Sequence, residues 1–221
     1  TAIAFRRAGA DVIACGLTDD ELLAARADAR FEGIRIERLD VRDRAAVDAL
    51  VGGLARLDCV VHCAGMIRRE AEHDPDVFDD VMDVNVSGGM RVSSAARPLL
   101  AASGGAIVFI GSVMSFFGGP KQPAYSASKG AVRNLTMSLA AAYAGDGIRV
   151  NAVAPGWVIT NLSRGAREDP VRAAAILSRL PMARWADPAE IADPILFLCS
   201  DAARYMTGTV MPVDGGYVSV G

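Results

Sequence analysis

Ser112, Tyr125 and Lys129 are three side chains that could share one piece of chemistry. Tyr125 and Lys129 stand four residues apart in PAYSASKGAV, residues 123–132. On a helix four residues turn about 400°, so a phenol and an ammonium at that spacing face the same way, one turn apart. A free phenol has a pKa of about 10 and exchanges protons poorly at neutral pH. A nearby cation favours phenolate and draws that value toward the working range. Ser112 closes the run IVFIGS and can donate a hydrogen bond to a substrate oxygen. The trio predicts proton transfer that interconverts an alcohol and a ketone, with a cofactor handling the hydride. A Tyr–Lys pair at this spacing also arises by chance on amphipathic helices, so the reading depends on where the residues sit.

The elements around them alternate. Strand-like runs occupy 11–16, 34–39, 57–62, 105–111, 147–153 and 207–212, rich in Val and Ile and mostly apolar throughout. Continuous apolar runs suit strands covered on both faces of a parallel sheet. Helical patterns lie at 19–30, 43–54, 76–102, 123–144, 167–178 and 188–200. Asp19 can cap the helix at 19–30, Gly104-Gly105 follow the helix at 76–102, and Asp187-Pro188 open the last. This order predicts an α/β fold, a doubly wound parallel sheet of Rossmann type, as one domain over 1–221. Such sheets bind ligands beyond the carboxyl ends of their strands, where Ser112 falls.

Composition narrows the partners. Lys+Arg total 23 against 26 Asp+Glu, a net charge of −3, which argues against nucleic acid or an anionic membrane as partner. The longest apolar stretch, CVVHCAGMI, stops at Arg68, well short of the roughly 18–20 residues of a membrane span. Cys15, Cys59, Cys63 and Cys199 form no C-x-x-C pair, and their apolar neighbours predict buried, reduced thiols in a cytoplasmic protein. With His62 and His73 alone, no cluster has zinc spacing and no metal is expected. The opening AIAFRRAGA reads as the tail of a helix ended by Gly9.

Ser112 followed by Tyr125-Ser-Ala-Ser-Lys129 resembles the active site of the short-chain dehydrogenase/reductase family. Other segments fit in order: LDV at 39–41, HCAG at 62–65, DVNVSG at 83–88, IRVNAVAPGWVIT at 148–160 and VDGGY at 213–217. The resemblance implies that Tyr125 is the general acid/base and that Ser112 orients the carbonyl. It gives Lys129 the task of lowering the tyrosine pKa and holding the nicotinamide ribose. It makes Asn85 the holder of a water that relays protons from Lys129. It places Gly16, Leu17, Asp40, Val41, Cys63, Ala64, Gly65, Pro155, Gly156, Val158 and Thr160 against a dinucleotide, Asp40 beside the adenine. It also implies a homo-oligomer, a tetramer or dimer, packed through the long helices.

The sequence departs from the family in three places. It opens without the T-G-x-x-x-G-x-G turn whose amides cradle a pyrophosphate. The N-terminal strand and that turn, about 20–30 residues, are expected to be missing ahead of Thr1, leaving a gap in the sheet; without them cofactor affinity should collapse. HCAG stands for the usual N-N-A-G, with Cys63 replacing an asparagine and His62 expected as a satisfied core-edge histidine. The turn Gly16-Leu17-Thr18 carries neither the acid of NAD enzymes nor the arginine of NADP enzymes; NAD is favoured over NADP.

A small-molecule substrate is expected between the segment after HCAG and the loop and helix at about 157–187. AGMIRRE, DDVMDVNV, SVMSFFGG and AAILSRLPMARW are similar to the family's 2-deoxy-D-gluconate 3-dehydrogenases, also described as 2-dehydro-3-deoxy-D-gluconate 5-dehydrogenases. Arg68 and Arg69 are then candidates for a substrate carboxylate, with Met114, Gln122 and Trp157 as wall residues. The alternatives are a 3-oxoacyl-carrier-protein reductase, whose basic residues would face the acidic carrier, and a non-catalytic member that has lost its cofactor.

Overall fold

The computed structural model describes residues 1–220. Thr1 precedes a short helix α1 (Ala2–Arg7), and Gly9 ends it at φ 90°, in the left-handed region that glycine enters without strain. Then follow β1 (Ile13–Gly16), α2 (Asp19–Ala27), β2 (Arg35–Arg38), α3 (Arg44–Gly52) and β3 (Cys59–His62). The chain continues through α4 (Pro75–Met82), α5 (Gly88–Ser103), β4 (Ala106–Ile110), α6 (Pro123–Tyr143) and β5 (Arg149–Pro155). It closes with α7 (Arg164–Arg167), α8 (Pro170–Leu177), α9 (Pro188–Cys199) and β6 (Val210–Val213).

The strands pair in parallel, in the orders β1-β2 and β3-β4-β5-β6, flanked by helices on both faces. Among the described residues the two groups are not hydrogen-bonded to each other. In β4, Ile107 and Phe109 enter the core under α5 and α6, while Val108 enters the core under α9. Both faces of that strand are buried, which is why its sequence is apolar without alternation.

Three expectations are corrected. The helix expected over 76–102 is broken at Asp83–Ser87 into a π turn that joins α4 to α5. Its apolar period continues through the turn, so periodicity alone hides it. The helix expected over 167–178 is split at Asp169, which caps α8 through Val171 and Arg172. The cysteines are free but not buried: Cys15 and Cys63 are exposed, Cys59 and Cys199 half-buried. Cys15 lies on β1 and Cys63 follows β3, two strands that each pair on one side only.

Candidate active site

At the carboxyl end of β4 the chain turns sharply. The Gly111 N–H donates to the Val153 carbonyl at 2.7 Å, and Ser112 then caps a single 3₁₀ turn, Val113–Ser115. The Ser115 hydroxyl accepts from the Ser112 N–H at 3.2 Å and donates to the Lys129 carbonyl at 2.8 Å. One hydroxyl thus ties the serine turn to α6 beside the lysine. Nothing in the sequence singled Ser115 out.

α6 brings Tyr125 and Lys129 together as the spacing requires, with the ammonium 5.4 Å from the phenol ring centre. Lys129 is buried, and its Nζ donates to the Ile110 carbonyl at 2.8 Å. Burial lowers its pKa to about 8. The electrostatics of the phenol differ from expectation. Burial pushes the Tyr125 hydroxyl above the usual phenol value; Ser112 and then Arg69 draw it down, and Glu72 raises it. Arg69 is a cation that offsets burial, while the Lys129 ammonium, 5.4 Å from the ring centre, is held on the Ile110 carbonyl.

Asn85 sits in the π turn, 1% exposed. Its oxygen accepts from the Met66 N–H at 2.7 Å, and its amide donates to the Met66 carbonyl at 3.0 Å and to the Ser128 hydroxyl at 2.9 Å. It clamps the turn after β3 onto α6. A Cβ on Gly65 would stand 3.5 Å from Asn85 Oδ1 and 3.6 Å from Lys129 Nζ, so Cys63, Ala64 and Gly65 lead directly past the Lys129 ammonium.

The remaining dinucleotide candidates divide. Leu17 and Asp40 line a cavity of about 570 Å³ beyond β1 and β2, with Thr18, Asp19, Asp20, Arg38 and Arg42. Gly16 ends β1 at its rim. The Asp40 carboxylate is held by Arg42 at 2.8 and 3.0 Å, which keeps its pKa below the usual carboxylate range. Val41 does not face that cavity. It is buried against Gly88, where a Cβ would stand 2.5 Å from Val41 Cγ2. Pro155 ends β5, and Gly156 passes so close to the final turn that a Cβ would lie 2.7 Å from Asp214 Cα. Val158 packs toward the α9 core, and the Thr160 N–H is taken by the Ser163 hydroxyl at 3.1 Å.

On the substrate side, Met114 and Trp157 join one cluster with Val113, Ala166, Ile176 and Leu180. Gln122 is buried; its amide donates to Met114 Sδ at 3.8 Å, and its Oε1 has no partner. The Trp157 indole N–H is also without a partner. Among the described residues neither Arg68 nor Arg69 forms an ion pair. Partial burial and Arg172 on α8 lower the Arg69 pKa, so a second guanidinium, not anticipated from sequence, faces the same space. His62 is a core-edge residue against Phe109, but its Nε2 has no partner, contrary to expectation. Its pKa falls to about 4, chiefly by burial. Among the described residues no group of His, Cys, Asp and Glu is placed to hold a metal, and no helix is long and apolar enough to cross a membrane.

Known proteins share this arrangement. Residues 1–218 match the family described as enoyl-(acyl carrier protein) reductase. The chain is 37% identical over 230 residues to the 2-dehydro-3-deoxy-D-gluconate 5-dehydrogenase of Pseudoalteromonas atlantica, covering 98% of this chain and 89% of that one. It is 36% identical over 230 residues to the 3-oxoacyl-acyl-carrier-protein reductase of Thermotoga maritima, covering 99% and 92%. A gluconate 5-dehydrogenase from Burkholderia cenocepacia, solved with NADP and tartrate, superposes with a TM-score of 0.89 at 32% identity, covering 99% of this chain and 89% of that one. With matches of this extent around Ser112, Tyr125 and Lys129, the chain belongs to the short-chain dehydrogenase/reductase family, as an NAD(P)-dependent oxidoreductase acting on CH–OH groups.

Proposed function

We propose that this enzyme interconverts a secondary alcohol and a ketone on a deoxy-keto sugar acid. One observation carries the reading: Arg69, which forms no ion pair among the described residues, stands on the turn whose Glu72 carboxylate accepts the Tyr125 N–H at 2.8 Å, and its charge draws the phenol pKa down. A substrate carboxylate held by Arg69, with Arg172 nearby, sets a reactive carbon of the same molecule beside Ser112 and Tyr125. The unpartnered Gln122 oxygen is an acceptor for a sugar hydroxyl, and the segment 157–187 closes that side. The relatives agree in kind: one is named for a deoxy-keto sugar acid, and another was solved with tartrate, a hydroxy acid.

In the proposed mechanism Ser112 donates a hydrogen bond to the reacting oxygen. Tyr125 gives its proton to that oxygen in reduction and takes it back in oxidation. Its raised pKa suits the protonated, donating form at neutral pH. Lys129 and the Asn85 clamp keep Gly65 and the first turns of α6 in one arrangement. Residues fit a dinucleotide at both ends: the cavity lined by Leu17 and Asp40, and the passage from Cys63 to Gly65 beside Lys129. When bound, that cofactor supplies or accepts the hydride.

NAD is the proposed preference. The Leu17 and Thr18 N–H groups are occupied by the Glu21 carboxylate at 2.9 and 3.1 Å, and Arg38 and Arg42 face Asp19 and Asp40. Titrating the protein with NADH and NADPH and following nicotinamide fluorescence compares the two; tighter NADPH binding reverses this choice. A homo-oligomer accompanies the reading, α5 and α6 presenting exposed Met90 and Met137.

Steady-state rates on deoxy-keto sugar acids and on acetoacetyl thioesters test the substrate. Faster turnover of the thioesters would align the chain with the Thermotoga relative instead. Arg69→Ala should raise KM for sugar acids about 10–100-fold, the worth of a charge-assisted hydrogen bond, and leave neutral ketones nearly unchanged. An equal rise for both removes the carboxylate role.

A further inference from the structure

Glu72 is a buried carboxylate that the chemistry above leaves without a task. It is 1% exposed and lies in the 3₁₀ turn Ala71–His73 ahead of α4. Its Oε1 accepts from the Arg68 N–H at 2.7 Å, and its Oε2 accepts from the Tyr125 N–H at 2.8 Å. Tyr125 is the third residue of α6, so its N–H is one of the donors a helix cannot satisfy from within. The residue preceding a helix normally supplies that bond. Here Gln122 holds the place and makes no side-chain cap. A carboxylate 53 residues upstream makes it instead.

The turn that carries Glu72 is strained and docked. Glu70 has φ 67°, a left-handed conformation that a residue with a Cβ adopts at a cost of about 1–3 kcal/mol. Its N–H donates to the Lys121 carbonyl at 2.7 Å, and its carboxylate pairs with Lys121 at 2.8 Å. His73 Nε2 lies 3.1 Å from the Pro120 carbonyl. Each of these contacts ends on the segment that leads into α6. Arg68 and Arg69 therefore stand on a turn whose shape depends on the first turn of the Tyr125 helix.

We infer that Glu72 is a positioning residue: it locks the arginine-bearing turn to the start of α6, so that the proton-transfer group and the carboxylate-binding group keep one fixed separation. This rests on the proposed function, with Tyr125 as acid/base and Arg69 as the carboxylate-binding group. The groups that face the phenol are Ser112 from the β4 turn, Arg69 and Glu72 from this turn, and Lys129 from α6 itself. Glu72 places a negative charge against that of Arg69. Removing the charge at constant size leaves Arg69 opposed only by the exposed Glu70, itself paired with Lys121.

Glu72→Gln tests this without turnover. The two N–H groups reach different oxygens of Glu72, and a glutamine in the same pose puts an NH2 donor against one of them. Ultraviolet difference titration, with Tyr125→Phe as the blank, reads the single phenol; amide hydrogen exchange reads the Tyr125 N–H. The expected result is a phenol midpoint below that of the wild type and exchange at Tyr125 at least about tenfold faster, with unchanged far-ultraviolet dichroism. Glu72→Asp keeps the charge but shortens the reach, so it should speed exchange with a smaller change of midpoint, and it carries the test if Glu72→Gln does not fold. A carboxylate that serves only stability would lower the melting temperature alone. Glu72→Gln titrating as wild type, or wild-type exchange at Tyr125 in either variant, overturns the proposal. Neither readout depends on substrate, so a failure of the sugar-acid reading appears in the Arg69→Ala kinetics and a failure of the positioning role appears here, and the two are told apart.

Discussion

The β3–β6 sheet and the β1–β2 pair carry the two ends of one site, and they hold their polar groups by opposite means. Beyond β3 and β4, Asn85, Ser115, Lys129 and Glu72 are all buried, and each bonds to backbone from another part of the chain. Around β1 and β2 the charges pair at the surface with neighbours two residues away: Arg30 with Asp28, Arg35 with Glu37, Arg42 with Asp40. A buried polar group left without its partner costs the full desolvation of that group, whereas an exposed pair exchanges one solvated state for another. The first region should therefore break sharply on substitution, and the second should yield by degrees.

The sharpest break is chemical. Tyr125→Phe removes one oxygen from a half-buried ring and leaves the α6 cap on its backbone intact. Turnover should fall by on the order of 10²–10⁴-fold, the range for loss of a general acid, while thermal unfolding stays close to wild type. Steady-state kinetics beside a melting curve checks both. Retention of most of the activity would move the proton-transfer role to another group.

Lys129 separates function from stability inside the same region. Its folded pKa of about 8 lies below the ordinary lysine value of 10.5, so the native state bears the cost of burying an ammonium. Between those two values the unfolded chain binds more protons, and stability must rise with pH; below pH 8 the benefit is absent. Lys129→Met removes the cost and loses the bond to Ile110 O. The expected net gain is about 2 kcal/mol at pH 7, shrinking toward pH 10, together with loss of turnover. The raised pKa of Tyr125 acts only above the ordinary phenol range and does not alter this window. Urea unfolding at pH 7 and pH 9.5 reads the sign. A variant that is less stable at pH 7 would mean that the ammonium is well paired as it stands.

The same division decided what could be read from sequence. All six strands were legible: β4 and β5, buried on both faces, write themselves as continuous apolar runs, whereas β2, Arg35–Arg38, is polar at three of its four positions and was legible from its place in the alternation of strands and helices. Ser112, Tyr125 and Lys129 were legible through spacing on a strand end and a helix. Glu72, Ser115 and Arg172 were not, since they act through partners far along the chain, and no local pattern records a bond to an amide 53 residues away. The π turn at Asn85 escaped because it preserves the apolar period on either side. The packing of the Val41 side chain into the space left by Gly88 is a contact that only folding brings about.

The smallest effect belongs to the outer region and tests the comparison from its weak side. Arg42 grips Asp40 through Nε and Nη2 and reaches Asp80 at 3.5 Å, yet the three side chains are 37%, 32% and 57% open to water. Geometry of this quality would make a strong pair if buried; in water it contributes about 0–1 kcal/mol. The Asp40 pKa is depressed by Arg42, so the stabilisation is present above the ordinary carboxylate range and fades as pH falls through the lowered folded value. Arg42→Ala should therefore change unfolding free energy by less than about 1 kcal/mol at pH 7, and the difference from wild type should close in acid or in molar salt. Binding at this end should respond more than stability, because the same substitution frees the Asp40 carboxylate that lines the cavity beyond β2. A tighter fluorescence titration with NADH, set beside an unchanged melting curve, would show charges near β1 and β2 tuning the ligand rather than the fold; a loss of several kcal/mol would place Arg42 with the buried network instead.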